Sequence, residues 1–342
     1  MNNPLTKKER MRRALWREPV DWLPCQTNYT PVMEKKLADF FHLSAKELPA
    51  RLNNHLLRLD LTYPKRLGAD GRIGYDWWGA GWDTRTEGCW HSFAPLIENA
   101  DLSKFPWPDS SEPHLLDGAA KALAEDHGRH FVAPNFGFCL FERAWSLRGF
   151  DALLMDMVEK PEWVEKLLER IAEIQIAVAR RFVGLGVDGG YFGDDYGAQR
   201  GLLFSPTVWR RLLKPRLARL FAVFRGAGLP VILHSDGDIW AILPDLVDIG
   251  LTCLNPVQPE VLEHERLHRE FGRHLSFYGG ISTQTVMPGG TPAQVKQASA
   301  VCVRQLAPQG TGLILGPSHR MQSDIPAQNV AALLEAWPQI SE

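Results

Sequence analysis

Short apolar runs that end in polar residues or glycine recur along the chain, separated by longer stretches of helical period. From about residue 130 onward this order repeats, which predicts parallel βαβ units. The strand candidates are 131–136, running into Gly137 and then Glu142; 189–192, into Gly193, Asp194 and Asp195; and 230–233, into His234. Three more follow: 251–254 into Asn255, 275–278 into Gly279 and Gly280, and 313–315 into Ser318 and His319. Two earlier runs, 22–26 and 72–75, complete a set of eight.

Helices are predicted between the strands. Residues 161–183 carry an apolar stripe through Val164, Leu167, Leu168, Ile171, Val178 and Phe182 at helical spacing. Ser205-Pro206 is a serine cap with proline at the first helical position. Asp238 caps a short helix that Pro244 restarts and Gly250 closes. Thr291-Pro292-Ala293-Gln294 is a capping box. Eight strands with intervening helices predict a single-domain (β/α)8 barrel over 1–342. An open doubly wound sheet is disfavoured because no G-x-G-x-x-G follows a strand and no Walker sequence is present. Residues 74–108, with Trp77, Trp78, Trp82, Trp90 and Trp107 among glycines and prolines, fit neither period and read as an elaborated loop over the barrel mouth.

Composition narrows the class of function. A formal net charge of −2 with both signs interspersed argues against a nucleic-acid or anionic-membrane surface. No apolar run approaches the roughly 18 residues that span a bilayer, and residues 1–17 are polar, so a cytoplasmic location is expected. Cys25, Cys89, Cys139, Cys253 and Cys302 are scattered and form no C-x-x-C pair; they read as reduced, mostly buried thiols. The twelve tryptophans point to an aromatic-rich interior or cleft.

In a barrel the residues just after each strand become neighbours. Gln26, Glu142, Asp194, Asp195, His234, Asp236, Asn255, Gln258, Ser318 and His319 form that set. His234-Ser235-Asp236 is its sharpest part, because side chains two apart on an extended segment face the same way. An imidazole, a carboxylate and His319 from the last strand suit zinc, or iron where coordination positions stay open. The plain alternative is a hydrogen-bonded pair that orients the loop. Of Asp194 and Asp195, adjacent and so pointing apart, one is expected in the cleft, Asp195 in preference, as an acid, base or anchor; loop capping is the alternative. Glu142 and His319 are further acid–base candidates. Gln199, Asn255, Gln258, Gly280, Ser318 and Arg320 are the expected substrate contacts, with local turn bonding the alternative for Asn255 and close backbone approach the reason for Gly279-Gly280.

These same residues carry a resemblance. FERAWSLRG (141–149), GDDYGAQRGLLFSP (193–206), LPVILHSDGDI (229–239), LNPVQPE (254–260), FYGGISTQ (277–284) and GPSHRMQSDIPAQN (316–329) resemble the uroporphyrinogen decarboxylase superfamily. The likeness covers most of the chain, most strongly 136–329, and implies a (β/α)8 barrel. One branch of that superfamily decarboxylates acetate arms without a cofactor and carries an N-terminal R-Q-A-G-R; here the stretch reads RMRRALWREPVDWLP (10–24). The other branch transfers methyl groups with corrinoid proteins, and zinc held by an H-x-C motif and a later cysteine activates the acceptor thiol.

His234 matches that histidine, while Asp236 and His319 stand where the two cysteines do. The resemblance therefore implies a harder metal site than a thiolate one, or none. The chain has no corrinoid-binding D-x-H-x-x-G, so a corrinoid would ride on a separate protein, with the tryptophan-rich segment as its docking surface. The leading expectation is metal-assisted methyl transfer between such a protein and a small molecule. The alternatives are a cofactor-free decarboxylase of uroporphyrinogen or another carboxylate, with Arg143, Arg200 or Arg320 holding carboxylates, and a non-catalytic binding protein. A homodimer is compatible with all three.

Overall fold

The computed structural model describes residues 4–69, 71–85, 87–88 and 90–339; Cys89 lies outside them. Among the described residues, seven parallel strands form one curled sheet in sequence order. They are β1 (Leu56–Leu59), β2 (Phe131–Phe136), β3 (Gly190–Gly193), β4 (Val231–His234), β5 (Cys253–Asn255), β6 (Ser276–Ile281) and β7 (Leu313–Pro317). The extended segment 24–26 lies beyond β7: Gln26 N–H donates to Leu315 O at 3.0 Å, and Leu315 N–H to Pro24 O at 2.9 Å. On its other side Cys25 O accepts the His55 N–H at 3.2 Å.

Two of the expected strands are corrected. Residues 22–26 contribute only a bridge at Cys25, since Pro24 has no N–H to give a ladder. Residues 72–75 do hold a strand, Ile73–Tyr75, but it pairs antiparallel with Arg66–Leu67 and Gly81–Asp83, and Trp90–Phe93 adds a fourth member. The strand beside β2 is instead β1, in register from Leu56↔Phe131 to Leu59↔Pro134. Arg58 interrupts its apolar run, which hid it. The remaining strands match expectation within a few residues, and β2 coincides at both ends.

The helices follow their signals. The apolar stripe forms Pro161–Leu185, Ser205 accepts the Val208 N–H ahead of Pro206–Leu212, and the capping box at Thr291 opens Pro292–Leu306. Asp238 accepts the Trp240 N–H before the turn Trp240–Ile242 and the helix Leu243–Asp248.

Strand alternation sorts the core into two parts. Val231 and Leu233 face the surrounding helices, while Ile232 joins Leu56, Phe131, Ala133, Tyr191, Cys253, Tyr278 and Ile314 inside the curled sheet. Helix Lys7–Leu15 closes the N-terminal end with Met11, Ala14 and Leu15. The interior stack therefore ends at the opposite face. There, two residues beyond Ile232 and Cys253, His234 and Asn255 continue the same inward direction.

The antiparallel sheet lies against this molecule's C-terminal strand face through helix Phe141–Arg148. His91 Nε2 meets Ser146 O at 2.8 Å, and Leu96 N–H donates to Leu147 O at 2.8 Å. Trp82 packs edge-on against Phe138, with centroids 4.9 Å apart. Most of the expected mouth-covering segment is thus structured packing. Cys25, Cys139, Cys253 and Cys302 are buried free thiols.

Candidate functional site

Registers place the site. His234 pairs with Gly193 on one side and Asn255 on the other, so three strand ends stand in a row. Ile281↔Pro317 brings the loops after β6 and β7 to the same face. Between them lies a cavity of about 350 Å³ lined by Asn28, Arg58, Phe138, Glu142, Tyr191, Asp195, His234, Asn255, Ser318, His319 and Arg320 among others.

Asn255 determines which nitrogen of His234 faces that cavity. Its Nδ2 donates to Tyr278 O at 3.0 Å, which turns Oδ1 the other way. Oδ1 accepts the Tyr191 hydroxyl at 3.0 Å and lies 2.7 Å from His234 Nδ1. A carbonyl oxygen only accepts, so Nδ1 carries the proton and Nε2 presents its lone pair. From Nε2, Asp236 Oδ1 is 3.8 Å away and Asp195 Oδ1 3.9 Å. Asp236 Oδ2 is 3.7 Å from His319 Nε2, whose side chain is 42% exposed. One donor atom from each of His234, Asp236 and His319 lies within 4.8 Å of the other two.

The carboxylates divide the work. Asp194 is fully buried and accepts the N–H groups of Leu140, Phe141 and Glu142 at 3.1, 3.0 and 2.7 Å, with the Tyr196 hydroxyl at 2.7 Å. It caps helix Phe141–Arg148 and does not line the cavity, so the expectation of Asp194 as a catalytic group is corrected to a structural one. Burial pushes its carboxyl up to about 6 against the pull of those donors. Asp195 does line the cavity, and its Oδ1 holds the Asp236 N–H at 2.8 Å. Burial, then the charges of Asp195 and Asp194, hold the Glu142 carboxyl well above the usual carboxylate range. Burial also raises Asp236, while His234 and His319 pull it down.

Other expected residues land elsewhere. Gln26 Oε1 accepts the His55 and Leu56 N–H groups at 3.1 and 2.9 Å, and Asn28, two residues on, reaches the cavity in its place. Gln199 and Arg200 are exposed on the hairpin 197–202, outside the cavity. Gly280 faces away: its φ is +90°, and a Cβ there would meet Cys302 Sγ on helix Pro292–Leu306. Gly279, at φ +113°, packs on Pro256 O. The glycine pair serves strand and helix contact. Arg143 pairs with Asp76 at 2.6 Å. Sequence reasoning missed Arg58, Tyr191 and Asn28. An arginine inside an apolar run was the one available signal; Arg58 donates to Asn28 Oδ1 at 3.2 Å and lies over the Tyr191 ring.

An α/β protein with a curled parallel sheet and a His–Asp–His cluster beyond the strand C-termini is thus defined. The chain belongs to the uroporphyrinogen decarboxylase (URO-D) family, whose model matches residues 92–339. It is 24% identical over 373 residues to the uroporphyrinogen decarboxylase of Coxiella burnetii (strain RSA 493 / Nine Mile phase I), covering 96% of this chain and 94% of that one. It is 23% identical over 235 residues to the methylated-thiol–coenzyme M methyltransferase of Methanosarcina mazei, covering 67% of this chain and 60% of that one. Among solved structures, a methyltransferase from Methanosarcina mazei superposes with a TM-score of 0.76 at 20% identity, over 99% of this chain and 100% of that one. These relatives are enzymes of two reaction types. No helix among the described residues is long and apolar enough to cross a membrane.

Proposed function

We propose that this protein is a metal-assisted methyltransferase, moving a methyl group between a separate corrinoid protein and a small molecule. It would do so on a closed (β/α)8 barrel in which 24–26 is the eighth stave. The observation that carries the reading is the cluster of His234, Asp236 and His319, with donor atoms within 4.8 Å of one another and the His234 lone pair turned into it. Two imidazoles and a carboxylate fit a divalent ion, zinc above all. When bound, the ion supplies a Lewis acid that holds the heteroatom whose methyl bond forms or breaks.

The chain's own groups do the rest. Asn255 fixes the His234 tautomer. Glu142, whose carboxyl burial and the neighbouring carboxylates hold well above the usual range, hands a proton to the heteroatom that loses its methyl and takes one back in the opposite direction. Asp195, Asp236 and Asp324 outnumber Arg58 and Arg320 around the cluster. That balance suits a cation and repels a substrate crowded with carboxylates. Trp90 and Phe93, exposed on the antiparallel sheet, offer the apolar surface on which a carrier protein would dock.

A second reading, cofactor-free decarboxylation, is favoured by Arg58 and Arg320 lining the same cavity as His319. Elemental analysis of protein purified without chelator or histidine tag separates the two. We expect about one divalent ion per chain, lost in His234→Ala and in His319→Ala. Metal-free, well-folded protein that converts uroporphyrinogen to coproporphyrinogen would overturn methyl transfer.

A further inference from the structure

The cluster has a second polar face. Asp236 and His319 also line an adjoining cavity of about 280 Å³, near the small end of ordinary ligand pockets, which shares Ser318, His319 and Arg320 with the first. Its wall is polar almost throughout, with Gln258, Gln284, Arg320 and Asp324 contributing. Gln258 is only 5% exposed. Its Oε1 accepts the Gly237 N–H at 3.3 Å, which leaves its Nε2 protons without a partner among the described residues. Gln258 Nε2 therefore opens onto the cavity and is free to donate to an acceptor bound there. Arg320 and Asp324 lie four residues apart on the loop after β7, and among the described residues neither forms an ion pair. One small cavity thus offers a planar cationic fork, a neutral donor and an anionic acceptor.

We propose that this cavity binds the headgroup of a small α-amino acid. The carboxylate lies on Arg320 and the Gln258 amide, the ammonium on Asp324, and the side chain, bearing the reacting heteroatom, points towards Asp236 and His319. Arginine matches a carboxylate through paired hydrogen bonds, and the carboxylate of Asp324, which lines the cavity together with that of Asp236, supplies a charge opposite to an ammonium. Gln284 adds a donor and an acceptor at the rim. The proposal rests on the reading that His234, Asp236 and His319 form the reacting centre, and it names the small molecule that centre serves.

Calorimetric titration of the full chain with cysteine, 3-mercaptopropionate (no ammonium) and cysteamine (no carboxylate) tests it. Cysteine is expected to bind at least about tenfold more tightly than either truncated compound, the usual effect of one charge-assisted hydrogen bond. Asp324→Asn should weaken cysteine and cysteamine about tenfold and leave 3-mercaptopropionate unchanged. Arg320→Ala should weaken cysteine and 3-mercaptopropionate and leave cysteamine unchanged. Both residues are exposed, so neither substitution threatens folding. The same series in His234→Ala keeps its headgroup discrimination whether or not the wild type holds a metal, so failure of the metal reading shows separately, in elemental analysis. Equal affinities for all three compounds, or equal losses for all three in Asp324→Asn, would overturn the proposal.

Discussion

Replacing Asn255 by leucine, of similar volume, removes the acceptor that holds the proton on His234 Nδ1. Three hydrogen bonds go with it: from His234 Nδ1 at 2.7 Å, from Tyr191 at 3.0 Å and to Tyr278 O at 3.0 Å. The Tyr191 hydroxyl and the Tyr278 carbonyl stay buried and lose this partner. At about 1–3 kcal/mol for each of the two buried groups so stranded, the folded state loses roughly 2–6 kcal/mol. That is tolerable for a domain of ordinary stability. The functional effect is separate. Without the acceptor, His234 is free to move its proton to Nε2, which withdraws the lone pair from the cluster. Loss of such an orienting partner typically costs 10–100-fold in metal affinity. Three measurements follow this chain of cause: nitrogen-15 spectra of labelled histidine in metal-free protein, competition with a chromophoric chelator, and urea unfolding. Asn255→Asp restores an acceptor and should restore the Nδ1–H tautomer. If the leucine variant keeps that tautomer and binds metal within twofold of wild type, Asn255 does not position His234.

Two further outcomes concern stability. Burial first, then the charges of Arg10 and Lys7, push the His55 imidazole down to about 3. Unfolded histidine titrates near 6.5, so the unfolded chain takes up the proton first as pH falls. This contribution is complete above 6.5 and is lost as pH drops from 6.5 towards 3, by roughly 5 kcal/mol at its full extent. Urea unfolding at pH 7, 5 and 4 should show His55→Phe with a shallower acid loss than wild type; parallel losses would refute the assignment. Asp194→Ala leaves three N–H groups and the Tyr196 hydroxyl without their acceptor and should destabilise by roughly 3–5 kcal/mol; a change below about 0.5 kcal/mol, the scale of a surface substitution, would show that the cap is dispensable.

Much of this fold is local chemistry that a single sequence displays. Phe131–Phe136 is apolar, bounded, and followed by glycine, and it is a strand with those ends. The Thr291 capping box and the Ser205-Pro206 start need only their own turns to form. The pairing of His234 with Asp236 was also visible, because extended backbone repeats its direction every second residue. The first strand was not visible: Arg58 breaks its pattern, and only the interior of the curled sheet, with Asn28 and Tyr191 around the guanidinium, explains why an arginine stands there.

What the sequence determined by itself is therefore the order of strands and helices, their caps, and the short list of polar residues that follow each strand. Tertiary structure decided which of them meet. Asp194 and Asp195 are equivalent in the chain, and the start of helix Phe141–Arg148, at residues 140–142, claims the first while the cavity takes the second. Gly280 follows the same pattern as His234 yet faces a helix, because its direction depends on packing against Cys302. Asn255 looks like a turn residue until Tyr191 and Tyr278, distant in sequence, orient its amide and through it the imidazole of His234. Periodicity and capping act within a few residues; the direction of a side chain at a strand end is set by partners contributed from the neighbouring strands.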